Sequence, residues 1–206
     1  MEPHSVASSL TTFEQLLALP YGSTWPVEFC TPVPINFDAL RVVDVLREAQ
    51  VLDIRCECIR MTVGLLLEMR TAISLVGYDA ALIVARGVRL CSWEIGDREG
   101  DHGPLEAIHG ATWWIGGSEL VPLNTSLSKF EFTLACSTSA WLRIRADRFD
   151  FFLAKVPNLP EIPDYGAGPS SLVRASIPDW NKPCIPLVYS RLCPVTQHQK
   201  TTTQSE

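Results

Sequence analysis

Lysine is scarce: only four of the 17 basic residues are lysine, the other thirteen being arginine. Against 23 acidic side chains this leaves a net charge of −6. Neutralising phosphates requires grouped Lys and Arg, so a nucleic-acid surface spread over the whole chain is excluded. Arginine's planar fork pairs bidentately and tolerates burial at contacts better than a lysine ammonium. The bias therefore favours a protein that uses its surface for contacts.

Long apolar runs are also missing. None reaches the roughly 18 residues of a membrane span, because Arg60, Glu68, Arg70 and Asp79 interrupt the longest stretches. Residues 1–10 have neither a basic nor an apolar signal region. The expectation is a soluble chain made in a reducing compartment, with no membrane partner. Its seven cysteines, an odd number, are then expected to be free thiols, mostly buried in apolar strands.

Signatures of catalysis are absent too. Gly116-Gly117-Ser118 is not a nucleophile elbow, and no phosphate-cradling glycine pattern opens a helix after a strand. The densest polar cluster is Asp97-Arg98-Glu99-Gly100-Asp101-His102, followed by Glu106 and His109. Such a cluster has two readings, a divalent-metal site and a solvated acidic loop. Its spacing fits no metal loop of known mechanism, which favours the solvated loop. Cys56 and Cys58, one residue apart on a strand, share a face; their spacing is too short for a zinc knuckle, and they read as core thiols. Asn124-Thr125-Ser126 satisfies the glycosylation sequon, read here as an accident in a non-secreted chain. The expectation is a non-enzyme with no cofactor and no metal.

What the chain does have is apolar material: 47% of residues are hydrophobic, enough to build a core and to exclude wholesale disorder. Thr12-Phe13-Glu14-Gln15 spells a capping box for a helix running through Leu19 and stopping before Pro20. A proline-bearing loop over 21–37 leads to a second expected helix over 38–50, with Leu40, Val43, Leu46 and Ala49 on one face. Residues 1–50 thus form a helix-and-loop arm.

From residue 51 the period becomes two. Ile54, Cys56 and Cys58, then Ile59, Met61 and Val63, alternate with polar residues, and the phase slip at Cys58-Ile59 predicts a β-bulge in one long strand. Residues 71–76 and 79–86 read as a hairpin turning at Gly77. Residues 88–95 form a further strand, 96–110 a loop, and 112–115 a short aromatic strand ending at Gly116-Gly117. The strands over 129–136 and 142–147 alternate cleanly, and 149–156 closes the set. About eight strands at this spacing predict one antiparallel sandwich or barrel over 51–156.

Eight of the 15 prolines lie between Pro157 and Pro194. Proline cannot donate to a ladder, so 157–206 reads as an extended, irregular C-terminal arm whose last ten residues are disordered. Leu172, Val173, Ile177, Trp180, Ile185, Leu187, Val188 and Tyr189 would let this arm wrap over the domain or a neighbour. Adjacent Trp113 and Trp114 on a strand must face opposite ways, so one of them leaves the core. Trp113, Trp114, Trp180 and Tyr189 are the interface candidates. Arg143, Arg145 and Arg148 suggest a basic stripe, but Asp147 and Asp150 interrupt it.

Three passages resemble coat proteins of the picorna-like plant viruses, the group with the comoviruses and cheraviruses. These are the helical stretch Ser9-Leu10-Thr11-Thr12-Phe13-Glu14-Gln15-Leu16-Leu17, the passage from Val43-Asp44-Val45-Leu46-Arg47-Glu48-Ala49-Gln50 into Ile54-Arg55-Cys56-Glu57-Cys58, and residues 130–156 followed by Pro157, Pro160 and Pro163. The resemblance implies an all-β, eight-stranded antiparallel jelly roll of two four-stranded sheets. It also implies a structural capsid subunit of an icosahedral shell. Partners would be other coat subunits, with viral RNA inside the shell as a further candidate, and the location would be the virion, with host cytoplasm during assembly. The competing reading is a monomeric β-sandwich or β-barrel ligand-binding module, with Trp113, Trp114 and the loop over 96–110 at its mouth. A third is a metal-dependent enzyme built on His102 and His109.

Overall fold

The computed structural model describes residues 10–20, 40, 42–95, 113–123, 128–136, 140–165 and 170–192. The acidic cluster over 97–109, the glycosylation sequon, Trp25, Cys30, Cys193 and the C-terminal ten residues lie outside this set. Among the described residues, ten strands and two helices run in the order β1 (Thr11–Thr12), α1 (Phe13–Leu17), β2 (Gln50–Glu57), β3 (Thr62–Glu68), β4 (Ala80–Arg86), β5 (Leu90–Ile95), β6 (Ile115–Pro122), β7 (Phe130–Cys136), β8 (Ala140–Ala146), β9 (Arg148–Lys155), α2 (Ser170–Ser176) and β10 (Pro183–Leu192). They form a six-stranded sheet, β1-β10-β9-β4-β3-β2, and a four-stranded sheet, β5-β8-β7-β6. All pairings are antiparallel.

The expected pair of four-stranded sheets is corrected to six and four. The smaller sheet is a Greek key, because β6, β7 and β8 are consecutive and β5 lies beside β8. The larger sheet begins instead as a plain meander, β2-β3-β4.

One antiparallel ribbon serves both sheets. Ala80↔Ala154 to Arg86↔Arg148 pair in the larger sheet, and Leu90↔Arg145 to Ile95↔Ala140 continue in the smaller. The ribbon bends where Gly87 faces Asp147. Gly87 has φ +66°, and a Cβ there would lie 2.4 Å from Asp147 Oδ2. Only glycine meets both demands without strain. On another side the sheets touch again: Val51 N–H donates to Trp113 C=O at 2.9 Å and Ile115 N–H to Ala49 C=O at 2.8 Å.

β3, β4 and β9 are buried on both faces. Between the sheets lie Leu65, Leu67, Ile83, Phe149, Phe151 and Leu153, packed on Phe130, Phe132, Leu134, Leu142 and Ile144. The outer face of the larger sheet carries a second core of Leu66, Leu82, Val84 and Phe152 under Phe13, Leu16, Leu17 and Trp180. Each fully buried Phe or Leu contributes about 1.5–3 kcal/mol, so this second layer is a large part of the fold's stability.

The helix α1 follows the sequence expectation closely. Gln15 N–H donates to Thr12 Oγ1, and the Gln15 side chain returns to the Thr12 N–H, which completes the capping box. The helix ends two residues earlier than expected. The second expected helix, 38–50, is not formed in its described part. Residues 43–48 run as turns, with Asp44 and Glu48 at φ 58° and 68°, a left-handed conformation that no α-helix accommodates.

The proposed bulge at Cys58-Ile59 is a hairpin turn over 58–61, where Met61 N–H donates to Cys58 C=O at 3.2 Å. A turn reverses the chain and resets the apolar phase just as a bulge does. A register shift does occur in β2, between Val51 and Asp53. The expected strand 71–76 belongs to the connection 69–79, and β4 pairs instead with β3. β6 runs through Gly116 and Gly117 rather than stopping there.

The proline-rich segment is more regular than its composition suggests. It contains α2 and the ten-residue β10, which pairs with β9 and β1. Pro183 opens the strand and Pro186 sits at its register shift, the two positions where a missing N–H is tolerated. The arm therefore lies on its own domain. Arg70 ties it down, bonding buried Glu68 in bidentate fashion at 2.7 and 2.6 Å and donating to Ser176 C=O at 2.8 Å. Among the described residues no helix is long and apolar enough to cross a membrane.

Candidate interaction surface

The four aromatic candidates separate into two pairs. Trp180 is 3% exposed. Its Nε1–H donates to Asp53 Oδ2 at 2.7 Å, and the Arg55 guanidinium stacks 4.6 Å from its ring. It packs so closely on β3 that a Cβ on Gly64 would stand 3.0 Å from the indole. Its role as an interface residue is therefore corrected to that of a core anchor. Tyr189 is half-buried on β10, 4.9 Å from Phe152, and its hydroxyl donates to Asp150 Oδ1 at 3.0 Å. Loss of water and the nearby carboxylate push its pKa up. Both residues are used internally by the arm that carries them.

Trp113 and Trp114 do face opposite ways. Trp113 is half-buried and meets Trp93 edge-to-face, with ring centroids 4.9 Å apart. Trp114, bridged to Gln50, is 37% exposed. It shares its exposure with a residue that the sequence reading passed over. Trp141 on β8 is 51% exposed, the largest side chain presented by the smaller sheet. The signal was available: Leu142, Ile144 and Ala146 point inward, which puts Trp141, Arg143 and Arg145 on the other face.

Register gives this outer face three rows. Glu94, Trp141, Ala135 and Gly117 form one; Ser92, Arg143, Thr133 and Glu119 the next; Leu90, Arg145, Glu131 and Val121 the third. Small Ala135 and Gly117 leave the Trp141 ring without tall neighbours on one flank. Arg145 pairs with Glu131 across the strands, so the supposed basic stripe is charge-balanced. Val121 is also exposed. The outer face of the larger sheet, by contrast, is covered by α1 and the arm.

The interior centre of charge is elsewhere. Asp150, 2% exposed on β9, accepts from Arg86 Nε at 2.7 Å, Arg148 at 3.2 Å, Arg191 Nε at 3.0 Å and the Tyr189 hydroxyl. Burial alone would raise its pKa; the three guanidiniums outweigh burial and lower it. This network locks β4, β9 and β10 together.

An open cleft of about 610 Å³ is lined by Arg70, Asp79, Val156, Asn158, Pro160 and Ile162, among others. Two of its three charged side chains are already engaged, Arg70 with Glu68 and Asp79 with Lys155 Nζ and Val156 N–H; the third is Glu161. Among the described residues no group of three His, Cys, Asp or Glu side chains is placed to hold a metal. Cys56 and Cys58, expected in the core, are exposed, because β2 is an edge strand and residue 58 begins its turn.

No family model, no curated protein and no solved structure matches the chain.

Proposed function

We propose that the chain is a structural subunit of an assembly, a coat protein of an icosahedral viral shell, joining other subunits through the outer face of its four-stranded sheet. One observation carries the reading. Among the described residues, the sandwich seals one outer face with its own α1 and arm and leaves the other uncovered, with Trp141, Trp114 and Val121 exposed near the paired Arg145 and Glu131. An exposed aromatic beside charged and small side chains is the composition that marks contact surfaces. The resemblance of the N-terminal helix and of residues 130–163 to picorna-like plant virus coat proteins supports the same reading.

The proposal does not rest on a jelly-roll winding or on eight strands. It requires a rigid sandwich, one sealed face and one adhesive face. Other coat subunits are the partners; viral RNA would be enclosed, and the virion is the location. The alternative, a ligand-binding module, needs an interior cavity, whereas the space between the sheets is filled by Phe132, Phe149 and Phe151.

The test is assembly. Full-length chain, expressed with any sister subunits encoded beside it, is followed by sedimentation velocity and negative-stain microscopy. Closed shells are expected. A monodisperse monomer at high concentration in the presence of those subunits would overturn the proposal.

A further inference from the structure

β2 and β5 are the outermost strands of their sheets, and they approach each other along one seam of the sandwich. Trp113, bonded to β2 through Val51, meets Trp93 of β5. Farther along, Cys56 is opposite buried Val63 and Cys91 opposite buried Ile144. Opposed residues share a face, so both cysteines turn toward the gap between the sheets. There Cys56 lies near enough to Cys91 to add to the upward push that lost hydration gives the Cys91 pKa. Both residues are nonetheless exposed at the rim, within reach of solutes. The chain thus brings together two accessible thiols, one from each sheet, 35 positions apart in sequence.

We propose that Cys56 and Cys91 are an oxidisable pair that closes into a disulfide across this seam, tying β2 to β5 when the chain meets a small-molecule disulfide. The Cys56 thiolate attacks one sulfur of the oxidant, forming a mixed disulfide and releasing one thiolate. Cys91 then attacks the Cys56 sulfur, forms the Cys56–Cys91 bond, gives up its proton and releases the second thiol. Two protein thiols lose two electrons and two protons, and the oxidant is reduced to two thiols. The order follows from the site: lost hydration, then Cys56 itself, push the Cys91 pKa to about 11, so Cys91 is the resolving partner rather than the first nucleophile. Cys58, exposed in the adjoining turn, is the rival partner.

The full-length chain is incubated with excess glutathione disulfide, alkylated and mapped by mass spectrometry without reduction. A peptide pair joined through Cys56 and Cys91 is expected, and it persists in Cys58→Ser. In Cys91→Ser, Cys56 should stop at the glutathione adduct. Glutathione on Cys56 and Cys91 separately in the unaltered chain, no modification of either, or a Cys56–Cys58 link would each overturn the proposal.

Discussion

An alanine at position 87 must hold φ near +66° and place its Cβ against the Asp147 carboxylate. Both demands fall on the corner shared by the two sheets, so neither relaxes without moving the ribbon. Gly87→Ala is expected to cost about 1–3 kcal/mol, read as a lower urea midpoint with an unchanged slope. Asp150 is the second residue on which much depends. Asp150→Asn leaves Arg86, Arg148 and Arg191 around a neutral amide, and removing one member of a buried charge network costs about 3–5 kcal/mol. The network also predicts a pH dependence. Because the folded pKa of Asp150 lies below its ordinary value of 3.8, its contribution is fully present above that value. It is lost as the pH falls through the lower, folded pKa. Denaturation midpoints measured at a series of acid pH values should drop over this window, and the drop attributable to Asp150 should vanish in Asp150→Asn.

At the scale of elements, the outer cap of α1 and the arm is held by few anchors. Glu14 N–H donates to Trp180 C=O at 3.0 Å, so helix and arm bind each other as well as the sheet. Trp180→Ala keeps this backbone bond but removes the indole and its bond to Asp53, leaving a cavity against Leu17 and Gly64. A loss of about 3–5 kcal/mol is expected, with hydrogen exchange in α1 and β10 accelerating before that of β4 and β9. How far the sequence reveals each element depends on its exposure. β7 and β8 are buried on one face and solvated on the other, so their alternation is plain and their bounds were legible. β3 and β4 are buried on both faces, so Val63 to Leu67 and Ala80 to Ala85 carry no period to read. The turn at 58–61 therefore passed for a bulge, and β10 was obscured by its prolines. The site was half legible for the same reason. The opposed faces of Trp113 and Trp114 follow from adjacency alone. The burial of Trp180 depends on a contact with Asp53, 127 residues away, which no local pattern encodes.

Across the whole molecule the asymmetry of the two outer faces is what calls for a partner. The larger sheet hides its apolar outer face beneath its own chain ends. The smaller sheet presents Trp141 in the first of three rows, in the third of which Arg145 and Glu131 are already paired. An indole half in water contributes little to the isolated fold, since its neighbours in the row are Glu94, Ala135 and, beyond, Gly117. Trp141→Ser should therefore shift monomer stability by no more than about 0.5 kcal/mol. At an interface the same ring would be a central anchor, where truncation costs about 2 kcal/mol or more per contact. A shell repeats each contact many times, so that loss should abolish particles outright. The expected outcome is a variant with an unchanged urea midpoint that sediments as a monomer under conditions where the unaltered chain forms shells. Particles of normal size from Trp141→Ser would show that the bare face is not the one through which subunits meet.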